Sequence, residues 1–255
     1  MRAQRCVTLC EGGAMTDVAI VTGGAGGIGK AINRRLAGEG YTVLAGDLAE
    51  ALERDDPSSD NSSILGVEMD VRDQASVDAA IASAVARGRL RAVVNCAGLV
   101  RFTPVAEAGE DEMDILWRVN VAGMARVNKA CAPHLGEGSA IVNIASLTGL
   151  IGRLTGASMY GASKAGVMAY TRYLACELAG RGVRVNCLAP GYIAVPMSPS
   201  MRAVSGGEEA LIPTVPLKRL GTVDEMAEVV EFLLSDRASY ITGATLVADG
   251  GVTAL

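Results

Sequence analysis

Short apolar runs alternate with longer amphipathic ones along nearly the whole chain, and no other feature restricts the fold as tightly. The runs cover residues 18–21, 41–45, 64–69, 92–95, 140–144, 184–188 and 245–247. They are rich in Val and Ile and mostly lack polar alternation, which is how strands buried on both faces read. Between them, helical patterns cover 27–39, 74–86, 110–132, 158–180 and 223–234, the last opening on Thr222 and Glu225 at capping-box spacing. Strand and helix in turn predict an α/β fold, a doubly wound, mostly parallel sheet with helices on both faces. Half the residues are hydrophobic but only 4% are aromatic, so the core must be built from Ala, Val, Leu, Ile and Gly.

Two segments break the rhythm. Residues 49–63 should hold the second crossover helix, but Asp55-Asp56-Pro57-Ser58-Ser59-Asp60-Asn61-Ser62-Ser63 favours a loop. Residues 194–216 combine prolines and methionines with Gly206-Gly207 and read as a substrate lid. Residues 1–15 read as a disordered N-terminal extension, with Met15 as an alternative start, leaving 16–255 as one domain.

A net charge of −5 and the lack of a basic block argue against nucleic acid and acidic membranes as partners. No apolar run reaches the ~18 residues needed to cross a bilayer. The basic start, Met1-Arg2-Ala3-Gln4-Arg5, lacks the apolar stretch of a secretory signal, and the protein reads as cytoplasmic. Cys96, Cys131, Cys176 and Cys187 fall in strand or helix patterns and read as buried free thiols. Cys6 and Cys10 could pair or bind metal, but with His134 the single histidine no metal site is expected.

Strand one runs into Thr22-Gly23-Gly24-Ala25-Gly26-Gly27-Ile28-Gly29, and a helix follows. Glycines there let the backbone approach a pyrophosphate, and the helix N-terminus supplies free N–H groups and a positive dipole end. A plain turn gives the same letters; the strand–turn–helix setting favours a dinucleotide. Asp47 closes strand two, where a carboxylate accepts both hydroxyls of an adenosine ribose and repels a 2′-phosphate, predicting NAD over NADP; a helix-capping role is the alternative. Asp70 and Val71 end strand three, at the ligand edge, as an adenine contact or as a simple turn.

Tyr160 and Lys164 share a helix face. A free tyrosine, with a pKa of about 10, is a poor base at neutral pH, but a nearby ammonium and an oxidised nicotinamide would favour its phenolate. Tyr160 could then exchange a proton with an alcohol as hydride moves. An amphipathic surface face would give the same pair. Ser146 ends strand five and can hold a substrate oxygen toward the tyrosine; Asn120, mildly unfavourable inside a helix, hints at a purpose beyond packing.

Taken in order, Thr22, Gly23, Gly27 and Gly29, then Asn95-Cys96-Ala97-Gly98, Asn120, Ser146, Tyr160 and Lys164, Pro190-Gly191 and Asp249-Gly250-Gly251 resemble the short-chain dehydrogenase/reductase family over residues 16–255. The resemblance implies a single Rossmann fold. It implies that Tyr160 is the general acid/base, that Lys164 binds the nicotinamide ribose and lowers the tyrosine pKa, that Ser146 orients the carbonyl, and that Asn120 holds a relay water. It places the dinucleotide against Gly23, Ala25, Gly26, Gly27, Ile28, Asp47, Asp70, Val71, Asn95, Ala97, Gly98, Tyr160, Lys164, Pro190, Gly191 and Ile193. It also implies a homotetramer (or homodimer) paired through helices 110–132 and 158–180. Two positions depart from the pattern: Cys96 stands for a second Asn, and Val195 for a Thr near the carboxamide, which costs a hydrogen bond to the cofactor.

The resulting expectation is an NAD(H)-dependent oxidoreductase for a secondary alcohol or ketone. Its pocket should draw on 99–103, 147–153, Tyr192 and 195–212, suiting a neutral, partly hydrophobic substrate, with Arg101 and Arg153 as solvated loop residues or as carboxylate ligands. A 3-oxoacyl-carrier-protein reductase is the rival. It resembles this chain in length and ending, but those enzymes carry docking arginines where this chain reads Leu135-Gly136-Glu137-Gly138-Ser139 and Cys176-Glu177. A catalytically silent NAD-binding scaffold is the third possibility.

Overall fold

The computed structural model describes residues 16–196, 202–203 and 205–254. The expected extension at 1–15, with Cys6 and Cys10, and the part of the expected lid at 197–201 and 204 lie outside the described residues.

One sheet of seven parallel strands organises the chain, in the order β3-β2-β1-β4-β5-β6-β7. The strands are β1 (Asp17–Thr22), β2 (Thr42–Asp47), β3 (Ile64–Glu68), β4 (Arg89–Asn95), β5 (Ala140–Ile144), β6 (Arg184–Pro190) and β7 (Thr245–Ala248). Every apolar run predicted as a strand is one. Alternate residues of a strand point to opposite faces, and here both faces are apolar. Val18 and Ile20 pack under α3 (Gln74–Val85) and α6 (Ser158–Ala179), with Val77, Ile81, Leu174 and Leu178. Ala19 and Val21 pack under α1 (Gly27–Gly38) and α7 (Val223–Leu234), with Ile32, Leu36, Val230 and Leu233. The Thr222–Glu225 capping box at the start of α7 is present in both directions.

The chain reverses its order between β1 and β4, so the carboxyl ends of these strands open a crevice, where ligands of such sheets bind. Thr22 Oγ1 accepts the amides of Cys96 at 3.1 Å and Ala97 at 3.0 Å, fixing the rim of the crevice.

Three expectations are corrected. The segment expected as a loop at 49–63 begins with a six-residue helix, α2 (Ala49–Arg54), since Ala, Glu, Leu and Arg are strong helix formers; the turn-prone residues take over only from Asp55. The helix expected at 110–132 is interrupted: α4 (Glu110–Trp117) and α5 (Met124–Cys131) flank a π-helical turn, Arg118–Gly123. Cys176, expected to be buried, is exposed on α6, while Cys131 and Cys187 are buried.

Candidate active site

The glycine turn closes tightly over the end of β4. Gly23 has φ +68, and a Cβ there would lie 2.9 Å from the backbone of Ala97, so only glycine fits. Gly26 caps α1 with no side-chain hydrogen bond, leaving the first helical amides open to the cleft. Asn33 is buried in α1 and donates to the Gly24 carbonyl at 2.9 Å, holding the turn from behind. Sequence reasoning missed it, although a polar residue on the apolar face of a helix is the same signal that singled out Asn120.

Asp47 ends β2 with one carboxylate oxygen accepting the amide of Ala25 at 3.0 Å and the other accepting that of Leu48 at 2.9 Å. Gly23, Gly26, Gly27, Ile28, Asp47, Asp70, Val71, Ala97 and Gly98 line one open cleft. Asp70 is gripped by Arg72, which donates to both its oxygens at 2.6–3.0 Å and holds its carboxyl below the usual range. Ala25 is buried behind the turn and meets the cleft through Asp47 alone. Asn95 steadies the sheet: its amide donates to Asn128 at 2.9 Å and Asn143 at 2.8 Å, tying β4 to β5 and α5.

The cleft runs into a deeper cavity of about 300 Å³, and Ile28, Cys96, Gly98, Leu99 and Val195 line both. Ser146, Tyr160, Lys164, Pro190, Gly191 and Ile193 all face this cavity. Ser146 stands at the end of β5; Tyr160 and Lys164 project from one face of α6. The Tyr160 ring packs on Phe102, with centroids 5.8 Å apart and planes tilted by 55°. Lys164 Nζ lies 5.9 Å from the tyrosine ring centroid and donates to the Ile144 carbonyl at 2.9 Å. No Cβ could be added at Gly98 without coming within 3.2 Å of that Nζ. Asn120 lies behind the cavity in the π-helical turn, its side chain bonded to the Leu99 backbone and, at 2.9 Å, to Ser163.

Burial dominates the electrostatics. It pushes the Tyr160 phenol up to about 12, against a smaller pull downward from the Ser146 hydroxyl. Burial also lowers the Lys164 ammonium and raises the Cys96 thiol to about 11. Desolvation of the phenolate is the larger influence on this phenol, ahead of the Ser146 hydrogen bond. The phenol is therefore neutral at neutral pH.

The expected pocket is only partly the one formed. Val100, Phe102, Leu147, Tyr192, Val195 and Leu211 line it as expected, joined by Leu154 and Leu220, whereas Arg101, Thr103 and Arg153 do not. Leu211, from the short helix Glu208–Leu211, and Val215 pack with Leu147, Tyr192 and Val252. Among the described residues, no cluster of three or more His, Cys, Asp or Glu could hold a metal ion, and no helix is long and apolar enough to cross a membrane.

The fold is of the Rossmann type, with a cavity at the carboxyl edge of its sheet. The family described as enoyl-(acyl carrier protein) reductase matches residues 23–253. The chain is 36% identical to the 3-oxoacyl-(acyl-carrier-protein) reductase FabG of Thermotoga maritima over 92% of its length and 97% of that protein. It is 39% identical to the galactitol 2-dehydrogenase (L-tagatose-forming) of Cereibacter sphaeroides, over 92% of this chain and 94% of that one. A solved short-chain dehydrogenase/reductase of Serratia marcescens superposes with a TM-score of 0.84 at 31% identity, covering 93% of this chain and 98% of its own. The chain belongs to the short-chain dehydrogenase/reductase family.

Proposed function

We propose that the protein interconverts a secondary alcohol and a ketone with NAD(H), using Tyr160 as proton donor and acceptor. The convergence of Ser146, Tyr160 and Lys164 on one cavity, continuous with the glycine-turn cleft, carries this reading. The open amides of α1, the close approach allowed at Gly23 and the Asp47 carboxylate fit a dinucleotide whose ribose hydroxyls are free. When bound, the nicotinamide supplies the hydride acceptor or donor.

The chain's own groups supply the proton and the orientation. Ser146 donates a hydrogen bond to the substrate oxygen and holds it toward the phenol. In reduction, Tyr160, neutral at physiological pH, gives its proton to that oxygen. In oxidation the phenol must first ionise, and the Lys164 ammonium, the one charged side chain among the described residues that line the cavity, favours that charge. Asn120 positions the wall between the two cavities through Leu99.

The rival reading, a 3-oxoacyl-carrier-protein reductase, is favoured by the relation to FabG. Against it stand Asp47, unsuited to a 2′-phosphate, and the surface where a carrier would dock. There Cys176 is exposed, and Arg181, just past α6, is tied to the Leu135 carbonyl. A homo-oligomer belongs to the proposal, with Trp117 on α4 (47% exposed) and Tyr173 on α6 (73%) as the apolar groups that association would cover. Initial rates with NAD and NADP against secondary alcohols, and with NADH and NADPH against a 3-oxoacyl thioester, separate the readings. NADH formation from an alcohol is expected; faster NADPH-linked thioester reduction would favour the rival, and NAD binding without turnover a silent scaffold.

A further inference from the structure

We infer that the substrate is a neutral alcohol or ketone with compact apolar substituents, and that polyols and carboxylates are rejected. This rests on the oxidoreductase reading above and names the class of molecule that its cavity takes.

Beyond Ser146 and Tyr160, the walls that would meet the substituents are Val100, Phe102, Leu147, Leu154, Leu211 and Leu220. The side-chain oxygens that remain are few. Thr148 Oγ1 already pairs with the Ser146 hydroxyl at 3.1 Å, and Tyr192 is buried in the apolar cluster of Leu147 and Leu211. Among the described lining residues, a single substrate oxygen thus finds side-chain partners at Ser146 and Tyr160 and a second one finds few; a buried hydroxyl without a partner loses its water for nothing.

Charge points the same way. Lys164 is the one cation lining the cavity among the described residues, and its ammonium is committed to the Ile144 carbonyl. Arg101 lines the outer cleft and not the cavity of Phe102 and Leu154. Arg153 reaches the Val252 carbonyl at 3.4 Å instead. A substrate carboxylate would be desolvated against leucine and phenylalanine, and the one counter-charge among the described lining residues, Lys164, is already held by the Ile144 carbonyl. The cavity of about 300 Å³ also limits size, because it must hold the reacting ring of the cofactor as well.

The test is a matched series with the full-length enzyme and NAD: 2-butanol, 2-pentanol, 2-hexanol, galactitol and 3-hydroxybutyrate. The kcat/KM should rise about fourfold per added methylene until the cavity is full. Galactitol and 3-hydroxybutyrate should be slower than the best alkanol by on the order of 100-fold or more. A Leu154→Asn variant, altering a partly buried wall residue outside the proton-transfer groups, should lower kcat/KM for 2-hexanol at least fivefold and leave galactitol unchanged or improved. Galactitol or 3-hydroxybutyrate outpacing 2-hexanol would overturn the apolar class while keeping the oxidoreductase. No turnover of any member with NAD or NADP would overturn the oxidoreductase reading, and this inference with it.

Discussion

Asn120 clasps Leu99 from both sides: its Oδ1 accepts the Leu99 amide at 2.8 Å and its Nδ2 donates to the Leu99 carbonyl at 3.0 Å. The π-helical turn Arg118–Gly123 carries this side chain, and such turns inside α-helices recur at functional sites. Leu99 follows Gly98, which packs beside the Lys164 ammonium, so the clasp fixes the partition between the two cavities. Asn120→Ala orphans both backbone groups. Urea unfolding should show a loss of about 1–3 kcal/mol, accompanied by a drop in kcat. Unchanged stability would show that the clasp holds nothing.

Burial of Tyr160 predicts a particular alkaline limb. Its folded pKa of about 12 lies above its ordinary 10.0, so the neutral phenol stabilises the fold fully below about pH 10. That contribution, at most about 2–3 kcal/mol, is lost as pH rises from 10 to 12. Cys96 and Cys187, raised from 9.0 to about 11, add a loss that begins near pH 9. Stability measured from pH 8 to 12 should fall throughout, and Tyr160→Phe should flatten the part above pH 10. A variant as alkali-sensitive as the wild type would contradict the burial argument.

Asp47 should decide between cofactors. Asp47→Ser with Leu48→Arg keeps an oxygen for the Ala25 amide and supplies a cation for a 2′-phosphate. The ratio of kcat/KM for NAD over NADP should fall by at least tenfold. A wild type that already prefers NADP would contradict the role given to Asp47.

A control away from the cavity is the capping box of α7. Thr222 Oγ1 accepts the Glu225 amide at 3.1 Å, and the Glu225 carboxylate accepts the Thr222 amide at 2.8 Å. Thr222→Ala should cost about 1 kcal/mol and lower Tm by about 2–4 °C, leaving kcat unchanged. A loss of turnover at full stability would mean that α7 takes part in the chemistry.

Much of this architecture is legible in the residues themselves. Val18–Val21 reads as a strand covered on both faces, because neither side of the run offers water a polar group. The proximity of Tyr160 to Lys164 follows from helix periodicity alone. Other features depend on partners distant in sequence. The π-helical turn at Asn120 reflects what that side chain grips, namely Leu99, and leaves no mark in composition. The partners by which Asn95 steadies the sheet, Asn128 and Asn143, lie 33 and 48 residues further along the chain. The walls at Leu154 and Leu220 come from separate loops, which periodicity does not place.

The most direct test of the account is Tyr160→Phe, assayed for NADH formation from the fastest secondary alcohol together with NAD affinity by fluorescence titration. Phenylalanine keeps the ring against Phe102 and removes the one group able to exchange the proton. Turnover should fall by about 100- to 10,000-fold while the Kd for NAD changes less than about twofold. A variant that binds NAD normally and retains more than a few per cent of wild-type turnover would contradict the assignment of Tyr160 as proton donor and acceptor.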